Sequence, residues 1–226
     1  MRILTSYHHH TGKLSAPMKL AVISDVHNDA YEDLFPMIEG ADVLLVPGDI
    51  ANRYTQSCDR GLDFLRDASK RLPTFFSVGN HETRSKEYRK LISQIEQTGA
   101  EVLINRYVRF EEIWLGGWYE PDIVRVDDML DEFEALEGCK VLMCHKPDQY
   151  MKKMRDLDLD LVVAGHAHGG QVRILNRGIY SPDQGLFPKY TRGVIDDRLI
   201  VSAGVSNPNH LPRWGNPCEV LMITLD

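Results

Sequence analysis

Short apolar runs rich in β-branched residues alternate along the chain with polar turns and with stretches of helical period. "MKLAVIS" leads into "DVHND", "ADVLLV" into "PGDIANR" and "PTFFSV" into "GNHETR", so that each apolar run ends on a turn and a helical pattern follows. The helical period is clearest after the third run, where Tyr88, Leu91, Ile92 and Ile95 recur at helical spacing and Gly99 supplies a stop. Such alternation predicts parallel strands joined by crossover helices.

The second half supplies further strand candidates, "VRFEEIWLGGW", "CKVLMC", "DLVVAG", "GQVRIL", "RLIVSAG" and "CEVLMITL", with fewer helices between them. These are too many strands for one sheet. The expected fold class is therefore α/β, a sandwich of two sheets packed face to face and flanked by helices. The long stretch that reads as loop is 176–193, "NRGIYSPDQGLFPKYTRG", and it is expected to flank the functional site. Residues 1–17 have no apolar h-region and read as a flexible leader carrying His8, His9 and His10, which leaves 18–226 as a single domain.

Composition narrows the functional classes. A hydrophobic content of 43% over 226 residues suffices for a sizeable core, and a net charge of −7 argues against a broad nucleic-acid or anionic-membrane surface. Any phosphate must find its positive charge locally. No apolar run approaches the ~20 residues of a membrane span, and no export signal is seen, so a cytoplasmic location is expected. Cys58, Cys139, Cys144 and Cys218 lack CxxC spacing and read as reduced thiols rather than zinc ligands.

In open α/β sheets, function gathers beyond the carboxyl ends of the strands. The chain places there Asp25 and His27 in "SDVHND", Asp49 in "PGDIANR", Asn80 and His81 in "GNHET", His145 in "MCHKPD", and His166 and His168 in "GHAHGGQ". Each alone also reads as a turn, cap or satisfied strand-end residue. Together they read as a metal site, because one sheet edge would bring five of the nine histidines beside two aspartates. Mixed imidazole and carboxylate donors suit Mn, Fe or Zn rather than Ca or Mg, and seven donors suit two ions better than one. Two such ions roughly 3.5–4 Å apart can hold a hydroxide and stabilise both the attacking and the leaving oxygen. With Asp25, Asp49 and the hydroxide counted against two divalent ions, one positive charge is left over. That excess matches a phosphodiester monoanion.

The ordered set "DVH", "GDI", "GNHE", "CHKP" and "GHAHGG", from about residue 18 to 171, resembles the calcineurin-like metallophosphoesterase superfamily. With "LFPKY" and the closing "NPCEVLMITL", it is most similar to the small bacterial members that cleave phosphodiesters. The resemblance implies a four-layer αββα fold and two divalent transition-metal ions. It assigns Asp25, His27 and His168 to one ion and Asn80, His145 and His166 to the other, with Asp49 bridging. His81 becomes the general acid for the leaving oxygen, and Gly165, Gly169 and Gly170 allow close backbone approach. "GDIANR" also resembles the "GDxVDRG" of serine/threonine protein phosphatases, which puts Arg53 at a phosphate-binding position. There Val78 stands in place of a second arginine, and Asn52 in place of the aspartate that orients the histidine. With fewer cations a small phosphodiester is the expected substrate, and a phosphomonoester the alternative. A non-catalytic scaffold would lack a ligand, and none is missing. Trp118 and Tyr119 are candidates for stacking on substrate or for a core edge, Lys189 and Arg192 for loop contacts, and His210 has no spacing partner.

Overall fold

The computed structural model describes residues 2–119, 128–175, 177–208 and 211–226; His210 lies outside them. In chain order the strands are β1 (Arg2–His9), β2 (Met18–Val22), β3 (Val43–Pro47), β4 (Thr74–Ser77), β5 (Glu101–Val102), β6 (Arg106–Phe110), β7 (Ile113–Trp118), β8 (Cys139–Cys144), β9 (Leu161–Ala164), β10 (Arg173–Ile174), β11 (Arg177–Gly178), β12 (Tyr180–Ser181), β13 (Gly185–Leu186), β14 (Gly193–Ile195), β15 (Leu199–Val201) and β16 (Cys218–Leu225). The helices are α1 (Asp59–Ser69), α2 (Asn80–Thr83), α3 (Tyr88–Glu96), α4 (Asp128–Glu134) and α5 (Pro147–Lys153).

Two six-stranded sheets result, ordered β1-β16-β2-β3-β4-β5 and β14-β15-β9-β8-β7-β6. Side-chain alternation along each strand divides the core into three layers. Val43 and Leu45 of β3 meet Val141 and Met143 of β8 between the sheets. Their neighbours Leu44 and Val46 turn outward onto Phe64 and Leu65 of α1 and Leu91 and Ile95 of α3. Leu142 and Cys144 turn the other way, onto Phe133 of α4 and Tyr150 of α5. Strands covered on both faces are mostly apolar, which is why these runs are nearly continuous rather than alternating, with Lys140 of β8 buried and its Nζ held by Asp158 at 2.7 Å. The expected two-sheet sandwich with outer helices is the observed architecture.

Several elements differ from expectation. Residues 1–17 are not a flexible leader over their whole length, since Arg2–His9 forms β1 and pairs in parallel with β16 from Arg2↔Cys218 to His9↔Leu225. Tyr7 packs against the central core, and His9 Nε2 lies 2.8 Å from the Asp160 carbonyl. "VRFEEIWLGGW" is two strands, β6 and β7, reversing at Glu111 with φ +49°. After β2 the crossover contains a 3-10 helix, Glu32–Ile38, interrupted by Pro36, rather than an α-helix. "GQVRIL" reduces to the two-residue β10, and 176–193 carries short paired segments, including β12 against β13.

The sheets set up the site by direction. β2, β3 and β4 run parallel in one sheet, and β7, β8 and β9 in the other. The turns after β2, β3, β4, β8 and β9 carry Asp25 and His27, Asp49, Asn80 and His81, His145, and His166 with His168.

Candidate metal centre

These turns bring their side chains together below the surface. Among the described residues, three groups of donors each lie within 4.8 Å of one another: Asp25, His27 and His168; His27, Asp49 and His81; Asp49, His145 and His166. All of these residues are buried. Asp49 is shared by two groups, with Oδ2 3.2 Å from His145 Nε2 and 3.8 Å from His27 Nε2. Asp25 Oδ1 lies 3.7 Å from His27 Nε2 and 3.6 Å from His168 Nε2. Asn80 Oδ1 is 3.2 Å from His145 Nε2.

Local backbone geometry makes this convergence possible and shows its cost. Asp25, His27, Asp49, His166 and His168 all have φ between +45° and +67°, a region that L-residues other than glycine avoid. Strain repeated at five candidate ligands persists only where surrounding contacts over-determine it. Gly165 is one such contact. A Cβ there would run into Ser24 Oγ and Asp25 Oδ2, so only glycine lets the β9 turn close onto the β2 turn.

The surrounding bonds orient the donors. Pro47 O accepts from His145 Nδ1 at 2.7 Å, and Ala51 O lies 3.1 Å from His27 Nδ1, which leaves both Nε2 atoms to face the carboxylates. Ser24 Oγ donates to Asp25 Oδ2, and the His166 amide to the same carboxylate. The His81 amide donates to Asp49 Oδ1 at 2.8 Å. Glu82 accepts the amides of Asp49, Ala51 and Gly79, each at 2.8 Å, and so ties the β3 turn to the β4 turn.

Charge follows the same pattern. Burial raises Asp49, but the His145 imidazole outweighs it and holds the carboxyl well below its usual range. Burial lowers His145, yet Asp49 brings it up to about 9. Asp25 is likewise held low, since burial is outweighed by His168, His27 and His145. Burial takes His168 down to about 3 and His81 down to about 4, against the pull of Asp25 and Asp49 respectively. Glu82 is pushed up to about 7 by burial and by Asp49, against its three amide bonds.

The other anticipated residues fall differently. His81 Nδ1 accepts the Arg53 amide at 3.2 Å, so a neutral ring carries its proton on Nε2. Asn52 Oδ1 accepts from the Tyr54 amide at 3.1 Å. The Arg53 guanidinium lies 4.8 Å from the Tyr54 ring centroid, and Val78 is fully buried. Asn52, Arg53, His81 and Lys90 border a cleft of about 170 Å³ beside the donors. Trp118 and Tyr119 are buried, with Tyr119 Oη 2.8 Å from Thr83 Oγ1, as a core edge requires. Arg192 pairs with buried Glu219, and Lys189 is exposed. The 176–193 loop does flank the donors, through Asp183. Glu82, Lys146 and Asp183 were not anticipated as partners; the available signal for Glu82 and Lys146 was their place in "GNHE" and "CHKP", beside His81 and His145.

The donor set fits divalent transition ions. Two carboxylates, a carboxamide and several imidazoles converge, and His168 Nδ1 is buried without a hydrogen-bond partner while its Nε2 lies 3.2 Å from His27 Nε2. Two ring nitrogens that close share at most one proton, and a common cation satisfies them better. A two-sheet sandwich with such a cluster at its strand ends defines a metallophosphoesterase.

The chain belongs to the calcineurin-like phosphoesterase family, whose model matches residues 18–170. It is 24% identical over 178 residues to an uncharacterized metallophosphoesterase of Campylobacter jejuni, covering 70% of this chain and 46% of that protein. Over 192 residues it is 25% identical to a transmembrane protein with metallophosphoesterase domain of Bos taurus, covering 72% and 43%. An uncharacterized metallophosphoesterase of Aquifex aeolicus is 25% identical over 232 residues, covering 92% and 85%. The chain spans less than half the length of the first two. Among the described residues no helix is long and apolar enough to cross a membrane.

Proposed function

We propose that this protein hydrolyses small phosphodiesters with two divalent transition ions, one held by Asp25, His27 and His168 and the other by Asn80, His145 and His166, with Asp49 between them. The observation that carries this reading is the position of Asp49, which belongs to donor groups on both sides. When bound, the ions acidify a water and neutralise the phosphoryl oxygens as charge builds up. The chain's own groups do the rest. Glu82 holds the Asp49 turn in place, and Asn80 presents its carboxamide oxygen toward His145. His81 assists departure of the leaving oxygen through Nε2–H, and a substrate anion against the ring raises the protonated fraction that burial holds low.

Diester preference rests on the scarcity of cations. Val78 is buried where a second arginine would stand, Lys146 is engaged by Asp183 at 2.8 Å, and of the two cations at the cleft Lys90 is paired with Glu87 at 3.0 Å, beside Arg53. A phosphomonoester dianion would be less well neutralised. A second reading of His81 follows from its group with His27 and Asp49, in which it is a ligand instead.

The decisive measurement pairs bis-p-nitrophenyl phosphate with p-nitrophenyl phosphate on manganese- or zinc-loaded protein, alongside elemental analysis. Two ions per chain and a higher kcat/KM for the diester are expected. A clear preference for the monoester would replace the diesterase reading. His81→Ala should keep its metal and lose roughly 10²–10⁴-fold in kcat, less with a good leaving group than with an alkyl one; a metal-depleted variant would make His81 a ligand.

A further inference from the structure

Among the described residues of the 176–193 loop, Asp183 sets a carboxylate against the candidate donors. Asp183 sits in the turn between β12 and β13 with φ +62°, and lies beyond the residues matched by the family model. Its Oδ2 is 3.1 Å from His166 Nε2 and 2.8 Å from Lys146 Nζ. His166 and Lys146 are both buried, 5% and 4% exposed, so neither polar tip can rely on water in place of this partner. The His166 ring in turn packs edge-on against His145, with centroids 5.1 Å apart.

We propose that Asp183 is a positioning residue for His166, accepting the Nε2 proton and thereby leaving the ring's lone pair on Nδ1, the nitrogen then available to a metal. An ionised carboxylate only accepts, so the shared proton must be the imidazole's, and a neutral imidazole has just one. The outer partner of a ligating histidine fixes its tautomer and ring orientation. Asp183 does this from a loop that flanks the site, with Lys146 holding the carboxylate in turn. The metal part of this inference rests on the two-ion reading above.

The test uses the full chain. In wild-type protein before metal loading, long-range ¹H–¹⁵N correlation of the imidazoles should show His166 as the Nε2–H tautomer, and Asp183→Ala should lose that signature. Manganese titration followed by calorimetry should find one of two sites weakened by about 10–100-fold in Asp183→Ala. Asp183→Asn, which keeps an acceptor oxygen, should recover part of the loss. The double variant Asp183→Ala/Lys146→Met separates tautomer from charge: if restoring charge balance alone restores affinity, the role belongs to Lys146 and the proposal falls. It also falls if wild-type His166 is the Nδ1–H tautomer, or if Asp183→Ala binds both ions as wild type does. Should wild-type protein bind fewer than two ions, the two-ion reading fails, while the tautomer spectrum still decides Asp183.

Discussion

Asp49 and Asn80 are carried by turns of the adjacent strands β3 and β4 that one side chain of the same sheet edge holds together, whereas His166 and His168 depend on residues from loops outside the two main sheets. Glu82 collects the amides of Asp49, Ala51 and Gly79 from within the same stretch of sheet. By contrast, His166 is met by Asp183 from the β12–β13 turn, and the His168 carbonyl by Asn216 Nδ2 at 2.7 Å from the loop before β16. Asn216 also donates to the Gln171 carbonyl at 3.0 Å. The first half of the centre, the Asp49 and Asn80 turns, therefore takes its side-chain support from its own sheet edge, and the second, the histidine turn, takes much of its support from loops outside the sheets. The difference predicts that damage to the first half spreads into the fold, while damage to the second is confined to the ligands.

The largest effect is expected from Glu82→Ala. It leaves three buried amides without an acceptor, and since each orphaned group costs about 1–3 kcal/mol, a loss of about 3–5 kcal/mol in urea unfolding should accompany loss of metal. A change below about 1 kcal/mol would remove the contrast at its stronger end. Gly165→Ala comes next, because its Cβ meets Ser24 Oγ and Asp25 Oδ2. Overpacking of this kind costs about 1–3 kcal/mol, and bound metal should drop toward one ion per chain by elemental analysis. An unaltered metal content would show that the β2 and β9 turns have room to part.

Asn216→Ala is the sharper comparison. It removes two bonds to the "GHAHGGQ" turn and should cost about 1–2 kcal/mol, with weaker metal binding but an intact core. If it unfolds the protein as readily as Glu82→Ala, the two halves are not held differently. Thiol labelling gives the smallest signal and the most local one. Burial pushes the Cys139 thiol up to about 12 and raises Cys144 as well, so both should resist Ellman's reagent at pH 8 in wild type and in Asn216→Ala. Fast labelling in Asn216→Ala would mean that the second sheet opens when its turn is loosened.

Much of this arrangement was legible in the order of residues. The apolar runs of β2, β3, β4, β8 and β9 are continuous because both faces are covered, and a polar cluster directly after each run had to lie at a strand end. That was enough to single out Asp25, His27, Asp49, Asn80, His81, His145, His166 and His168. The residues that hold them were not visible in the same way. Glu82 reads as an ordinary helix-start glutamate and Asp183 as a loop aspartate, and only the bonds they accept distinguish them.

β1 marks the boundary between the two kinds of information most clearly. "RILTSYHH" has too little apolar content to declare itself a strand, and its partner β16 lies more than two hundred residues away. Sequence alone determined which segments prefer to be strands, which turns follow them and which donors those turns carry, because these depend on local steric preference and on polarity. The tertiary structure decided that β16 enters between β1 and β2, that Asp183 and Asn216 reach the histidine turn, and that five donors occupy left-handed backbone. Those outcomes depend on contacts between distant residues, whose combined free energy outweighs local preference and leaves no period or motif in the chain itself.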